Sequence, residues 1–331
     1  MNFIKHKIIP IISNRLNINL LLSLSKQYFL HPFYHTVSDD YLPHIHPLYK
    51  PKTVKEFQND IDYLLKYFHP LSIHDVYLKI KNKNQDSKPY FHLSFDDGLR
   101  EIYDTVLPFL YRKGIPATIF VNSGFVDNKD LFYRYKAALI MDKLDKGITK
   151  NKKKAILRIL DRSEKSDIPD IKSELLKINR LNQNILDDIA EVMSLDFRSF
   201  LTGYKPYLST GELKEMQSKG FTIGGHSVDH PHYSLLSEEE QINQTFESCD
   251  FVRKNFNEPV SYFAFPFSDA GIKDSLFSQI YEKVQLTFGI SGIGYTQNSR
   301  HIARLDMEKY GKDAKESINK AYFIYILKKI R

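Results

Sequence analysis

The amino-acid sequence predicts a parallel α/β fold interrupted by one helical segment, on three observations. Short apolar runs alternate with amphipathic stretches that carry helix-start signals, the pattern of stacked β/α units. Acidic residues and histidines follow the apolar runs directly, which is where parallel folds build their sites. From about residue 127 to 207 the alternation stops, and the chain becomes lysine-rich and helix-like without strand signals.

Residues 1–31 read as an N-terminal helical lead, with the deduced main domain covering 32–331 around the helical insertion at about 127–207. The opening "MNFIKHKIIPIISNRLNINLLLSLSKQYF" is basic and partly apolar, but Asn14, Arg15, Asn17 and Asn19 interrupt it and no small-residue cleavage site follows. It falls short of the roughly 18 uninterrupted apolar residues of a spanning helix. The expected location is therefore the cytoplasm or the periphery of the inner membrane.

Thr53 with Glu56 forms a capping box, and Val54, Phe57, Ile61, Leu64, Leu65 and Phe68 recur behind it at helical spacing. Ser209 with Glu212 and Ser237 with Glu240 mark two more helix starts. Between them "FHLSF" (Phe91 to Phe95), "ATIFV" (Ala117 to Val121), "FTIGG" (Phe221 to Gly225), "YFAF" (Tyr262 to Phe265) and "QLTFGI" (Gln285 to Ile290) read as buried parallel strands. Gly114 and Gly220 stand where a helix ends just before two of these strands. Asp96, Asp97 and His226 should therefore share one face of the fold.

Composition narrows the function. Hydrophobic residues at 42% and charged residues at 26% of 331 are ordinary globular values. The formal charge is +7, and Asp142 to Lys165 holds nine Lys or Arg against four Asp or Glu. One lysine block without interleaved aromatics is a solvated helical face rather than a nucleic-acid surface, although it could meet an anionic glycan or an anionic membrane surface. Cys249 is the only cysteine, so there is no internal disulfide, and any metal must be held by histidine and carboxylate.

"FTIGGHSVDHPHYS" places His226 and His230 four apart after a strand. With one carboxylate of the Asp96–Asp97 pair they make a three-ligand set that leaves an open position for water. A cation beside one carboxylate offsets the repulsion between the two and lets the neighbour stay ionised as a base. The competing reading makes the pair a cap for a helix beginning near Leu99, which does not account for the histidines. His44 and His46, flanked by prolines, read as a mobile loop, and Pro231 should turn His232 away.

These motifs resemble the polysaccharide deacetylases with a NodB-type domain, carbohydrate esterase family 4. "SFDDG" (Ser94 to Gly98) resembles the family's first motif and "HSVDH" (His226 to His230) its second. The resemblance implies a distorted, incomplete (β/α) barrel, with Asp96 as general base and Asp97, His226 and His230 holding a divalent metal, zinc or else cobalt, nickel or ferrous iron. "FAFPFSDAG" resembles the third motif, but Ala264 stands where many members carry an arginine, and the sequence looks closer to the poly-N-acetylglucosamine deacetylase type. Its aromatic residue implies Phe267 N–H as an oxyanion donor. Arg304, in the late strand "HIARLDM", is the candidate to support Asp96, against the alternative of an ordinary surface ion pair. "PFYHTVSDD" resembles the start of the same subgroup and implies His35 as general acid, with His301 as its rival.

The expected activity is removal of acetyl groups from an N- or O-acetylated cell-surface polysaccharide or glycan precursor, with an acetylated oligo- or polysaccharide as partner and no nucleic acid. Two other classes compete: a non-catalytic glycan-binding protein on the same fold, and a two-His, one-carboxylate iron oxygenase.

Overall fold

The computed structural model describes residues 9–83, 87–294, 299–309, 311 and 313–330, so the first eight residues of the N-terminal lead lie outside it. Each of the five apolar runs contributes a strand to one eight-stranded sheet. From edge to edge the order is His301–Ala303, Leu286–Gly289, Tyr262–Ala264, Thr222–Gly225, Ala117–Val121, Leu93–Phe95, Pro32–Tyr34 and Leu305–Asp306. Every neighbouring pair is parallel. The two outermost strands are consecutive in the chain, separated only by Arg304. The run His301 to Asp306 therefore pairs with Leu286–Gly289 through its first half and with Pro32–Tyr34 through its second, which brings the sheet nearly into a closed barrel. Arg304 sits at that seam.

Burial on both faces explains the apolar runs, since all five residues of Ala117–Val121 are inaccessible. The three expected capping boxes are formed at Thr53, Ser209 and Ser237, each serine or threonine accepting from the third helical N–H while the glutamate accepts from the cap's own N–H. In Val54–Tyr67 the buried stripe is Phe57, Ile61 and Leu64, continued by Phe68. Leu65 departs from the expected stripe and is 37% exposed, because Leu64 already takes the core position on that turn. Three short strands, Phe29–Leu30, Tyr90–Phe91 and His69–Pro70, form a second parallel sheet.

The segment from 127 to 207 carries the helices Tyr133–Asp145, Lys150–Ile159, Ile168–Leu175, Asn184–Met193 and Phe197–Tyr204, as its composition predicts. They gather around a core of their own that includes Tyr135, Leu139, Ile156, Leu186 and Ile189. The segment returns to the barrel through a bridge between Leu99 and Tyr207, with Leu208 N–H donating to Gly98 O at 2.9 Å. The loop carrying His44 joins the same core, contrary to the mobile loop its prolines suggest. His44 is buried against Tyr135, Phe200 and Tyr204, and burial lowers its pKa to about 3. Among the described residues, no helix is long and apolar enough to cross a membrane.

Candidate functional site

The parallel register aligns the strand ends, so the residues just beyond them meet on one rim: His35 after Tyr34, Asp96 after Phe95 and His226 after Gly225. The chain turns sharply there. Asp97, Ser227, His230 and Phe267 all take left-handed backbone conformations, with φ of 68°, 69°, 55° and 57°. Such conformations cost free energy in non-glycine residues and concentrate at functional sites. Gly98 follows Asp97 at φ +64°, where a Cβ would also meet Val121 Cγ1 at 3.0 Å, so the turn after the two acids requires glycine. The helix beyond starts only at Ile102 as a π-helical turn, and neither aspartate caps it.

Asp97, His226 and His230 converge. Nε2 of His230 lies 3.2 Å from Asp97 Oδ1 and Nε2 of His226 lies 3.5 Å from it, and one donor atom from each residue falls within 4.8 Å of the others. Nδ1–H of His226 donates to Ala264 O at 2.8 Å, which leaves the Nε2 lone pair facing the carboxylate. Burial lowers the pKa of His226 to about 4 against the pull of Asp96 and Asp97. Burial would raise the pKa of Asp97, but the surrounding imidazoles, His230 first, outweigh it and hold the carboxyl well below the usual carboxylate range. Asp97 Oδ1 is buried without a hydrogen-bond partner. A neutral imidazole, a second imidazole and an ionised carboxylate oxygen with no donor of its own are the donor set a divalent cation takes, so the residues present fit a metal.

Asp96 has a different partner. Arg304 donates from both terminal nitrogens to the two carboxylate oxygens, at 2.7 and 2.8 Å, and also to Ser94 Oγ at 3.2 Å. Its guanidinium lies over the Phe33 ring at 4.3 Å and is fully buried. The surface-pair alternative for Arg304 is therefore overturned. Burial favours protonation of Asp96, yet Arg304 and then His226 hold its pKa below the ordinary value. The guanidinium reaches the acid from the barrel seam rather than from Ala264, whose carbonyl instead orients His226.

His35 is gripped by Glu308, a residue the sequence gave no reason to single out. Glu308 Oε2 lies 2.5 Å from His35 Nδ1, and its other oxygen accepts the backbone N–H of His35 at 3.2 Å and of Thr36 at 3.3 Å. Burial opposes the imidazolium, but Glu308, followed by Asp97 and Asp96, raises the His35 pKa to about 10. Nε2 is the ring nitrogen left for the cavity. His301 is engaged elsewhere, between Asp269 Oδ2 and Thr287 Oγ1, both at 2.9 Å.

These groups line a cavity of about 450 Å³ walled by Tyr49, Phe132, Tyr135, Phe265 and Phe267. His301 is not among its lining residues. Phe267 packs edge-on against His230 at 4.5 Å, and no hydrogen bond to Phe267 N–H is made among the described residues. His232 is outside the three-ligand cluster and stacks flat on Phe267 at 3.7 Å. Tyr135, contributed by the helical segment, donates its hydroxyl to Asp97 Oδ2 at 2.7 Å. Like Glu308, it was not visible as a site residue in the sequence, because a tyrosine on an apolar helix face reads as core.

Comparison with known proteins identifies the family and the fold. The family model for polysaccharide deacetylases matches residues 83–164 and 181–289, more than half of the chain. Among solved structures, the deacetylase PplD of Streptococcus pyogenes, in complex with acetate, superposes with a TM-score of 0.55 at 15% identity, covering 86% of this chain and 95% of that one. IcaB from Ammonifex degensii gives 0.55 at 14% identity over 89% and 97% of the two chains. A de-N-acetylase from Aggregatibacter actinomycetemcomitans gives 0.52 at 13% identity over 86% and 96%. At these identities the structures speak to the fold, a (β/α) barrel of the NodB type. No curated protein matches the sequence. The family model rests on the segments that carry both acids and both histidines, and on it the chain belongs to the polysaccharide deacetylases, an enzyme family of carbohydrate deacetylation.

Proposed function

We propose that this chain hydrolyses N-acetyl groups on a cell-surface amino-sugar polysaccharide or its precursor, with metal dependence and with the two adjacent aspartates in separate roles. The observation that carries this reading is their partnering: Asp97 faces two imidazoles, while Asp96 is clamped by Arg304. Asp97, His226 and His230 would hold the cation, with zinc the expected metal and cobalt, nickel or ferrous iron the alternatives. When bound, it supplies Lewis acidity that lowers the pKa of water and polarises the acetyl carbonyl.

Asp96 takes the proton of the attacking water, and Arg304 keeps its carboxylate ionised and fixed in orientation. Phe267 N–H donates to the oxyanion that develops on the acetyl carbonyl. His35, charged and anchored through Nδ1, gives a proton from Nε2 to the leaving amine. An amine leaves poorly unless protonated, so a histidine held in its charged form favours an N-acetyl over an O-acetyl substrate. The aromatic walls of the cavity suit the apolar faces of sugar rings.

The rival classes have less support. An iron oxygenase of the facial-triad type expects an all-β scaffold, not a parallel barrel of this family, and a glycan-binding protein without turnover has no use for a clamped second carboxylate. Contact of an anionic glycan or membrane surface with Lys143 to Lys165 has weaker support, because Lys143, Lys152 and Lys154 are engaged with Ser194 and Glu164 inside the segment. The test is acetate release from N-acetylglucosamine oligosaccharides before and after chelation. Release that stops on chelation and returns with zinc is expected; oligosaccharide binding with no acetate under any of the four metals would make the chain a binding protein.

A further inference from the structure

We infer that Tyr135 is a positioning residue for the metal centre, holding Asp97 so that a single carboxylate oxygen faces the two histidines. The inference rests on the metal-site reading above. Asp97 follows a strand and sits in a left-handed turn, so its backbone is fixed, but a carboxylate can still rotate about its last bond. Its two oxygens have unlike surroundings. Oδ2 accepts from the Tyr135 hydroxyl at 2.7 Å, whereas Oδ1 lies within 3.5 Å of Nε2 of both His226 and His230 and has no donor. Tyr135 thereby selects which oxygen is free, and a neutral phenol does this without the competing charge that a lysine or arginine would bring.

The tyrosine is itself immobilised. It is 2% exposed, meets Phe132 edge-on at 5.1 Å and His44 edge-on at 5.4 Å, and stacks with Tyr207 at 6.1 Å. Phe132 in turn lies 4.5 Å from the His230 ring. The first helix of the segment, Tyr133–Asp145, thus reaches past the barrel rim to the carboxylate. The segment becomes part of the metal site rather than a decoration beside it. Hydrogen-bond partners of metal ligands commonly set affinity by about 10- to 100-fold.

The test is zinc affinity by competition with a chromophoric chelator, on the full chain, for the parent, Tyr135→Phe and Tyr207→Phe. Tyr135→Phe keeps the ring and its packing and removes only the donor, so zinc should bind about 10- to 100-fold more weakly and the visible spectrum of the cobalt form should shift. The metal-free melting temperature checks that this variant folds. Tyr207→Phe alters the same core without touching Asp97, and its affinity and cobalt spectrum should match the parent. If Tyr135→Phe fails to fold, Tyr135→Gln, which retains a donor, takes its place and should keep more affinity than Tyr135→Leu. Equal affinity and identical cobalt spectra in parent and Tyr135→Phe would overturn the positioning role. A parent that binds no zinc would instead remove the metal-site reading on which the role rests.

Discussion

In the barrel, the strand Ala117–Val121 is buried throughout; in the helical segment, Lys150–Ile159 buries only Ile156 and Leu157 and leaves Lys150 and Lys154 exposed. The barrel places groups through paired backbones, so a strand end is fixed in three dimensions by its neighbours. The segment holds itself together around a separate core and through exposed ion pairs such as Arg162 with Glu174 and Lys172 with Asp145. Its first helix, with nine buried residues, supplies Tyr135 to the site, while Leu176 lines the cavity and Arg180 pairs with Asp229 beside it. Damage should therefore be severe and local at the barrel rim, and slight over most of the segment.

The sharpest way to break this contrast is at the seam. Arg304→Met removes both hydrogen bonds to Asp96 and leaves a buried carboxylate unpaired, a change that costs about 3–5 kcal/mol. Denaturant unfolding should register that loss, and acetate release should fall with it. A variant within about 1 kcal/mol of the parent would mean that the clamp is not what holds the rim, since routine surface changes fall in that range.

Glu308 offers a subtler probe of the same rim. The His35 pKa stands at about 10, above the ordinary 6.5. A raised histidine pKa contributes stability that is complete below about 6.5 and is lost as pH rises through about 10. The difference in melting temperature between parent and Glu308→Gln should therefore be largest below neutrality and shrink toward alkaline pH, while the alkaline limb of acetate release moves to lower pH in the variant. A difference that stays constant across that window would show that Glu308 does not hold a proton on His35.

On the segment, neutralising Lys152, Lys153 and Lys154 together should change stability by no more than about 1 kcal/mol, with KM unaltered at low salt. A salt-sensitive rise in KM would sharpen the contrast differently, by giving the lysine face a part in holding substrate.

What could be read from the sequence follows the same division. Capping boxes at Thr53, Ser209 and Ser237 and five apolar runs were legible because their causes are local, and the metal-ligand candidates because they sit directly behind strands. Arg304 could be named as a candidate for Asp96, although nothing local places it at the seam, where the chain changes from one edge of the sheet to the other. Glu308 and Tyr135 were invisible for a related reason: each acts on a residue far away in sequence, across 273 and 38 positions. The loop at His44 was misread because prolines report a turn, not whether aromatic rings will cover it. The strand Pro32–Tyr34 is too short to show periodicity.

Two neighbouring acids are assigned different work, and metal content with acetate release measured side by side on Asp96→Asn and Asp97→Asn tests this directly. Asp96→Asn should retain one divalent ion per chain while turnover falls on the order of 10²- to 10⁴-fold, the usual loss on removing a general base. Asp97→Asn should lose metal and turnover together. Near-parent turnover in Asp96→Asn, or metal retained in full by Asp97→Asn, would contradict the assignment.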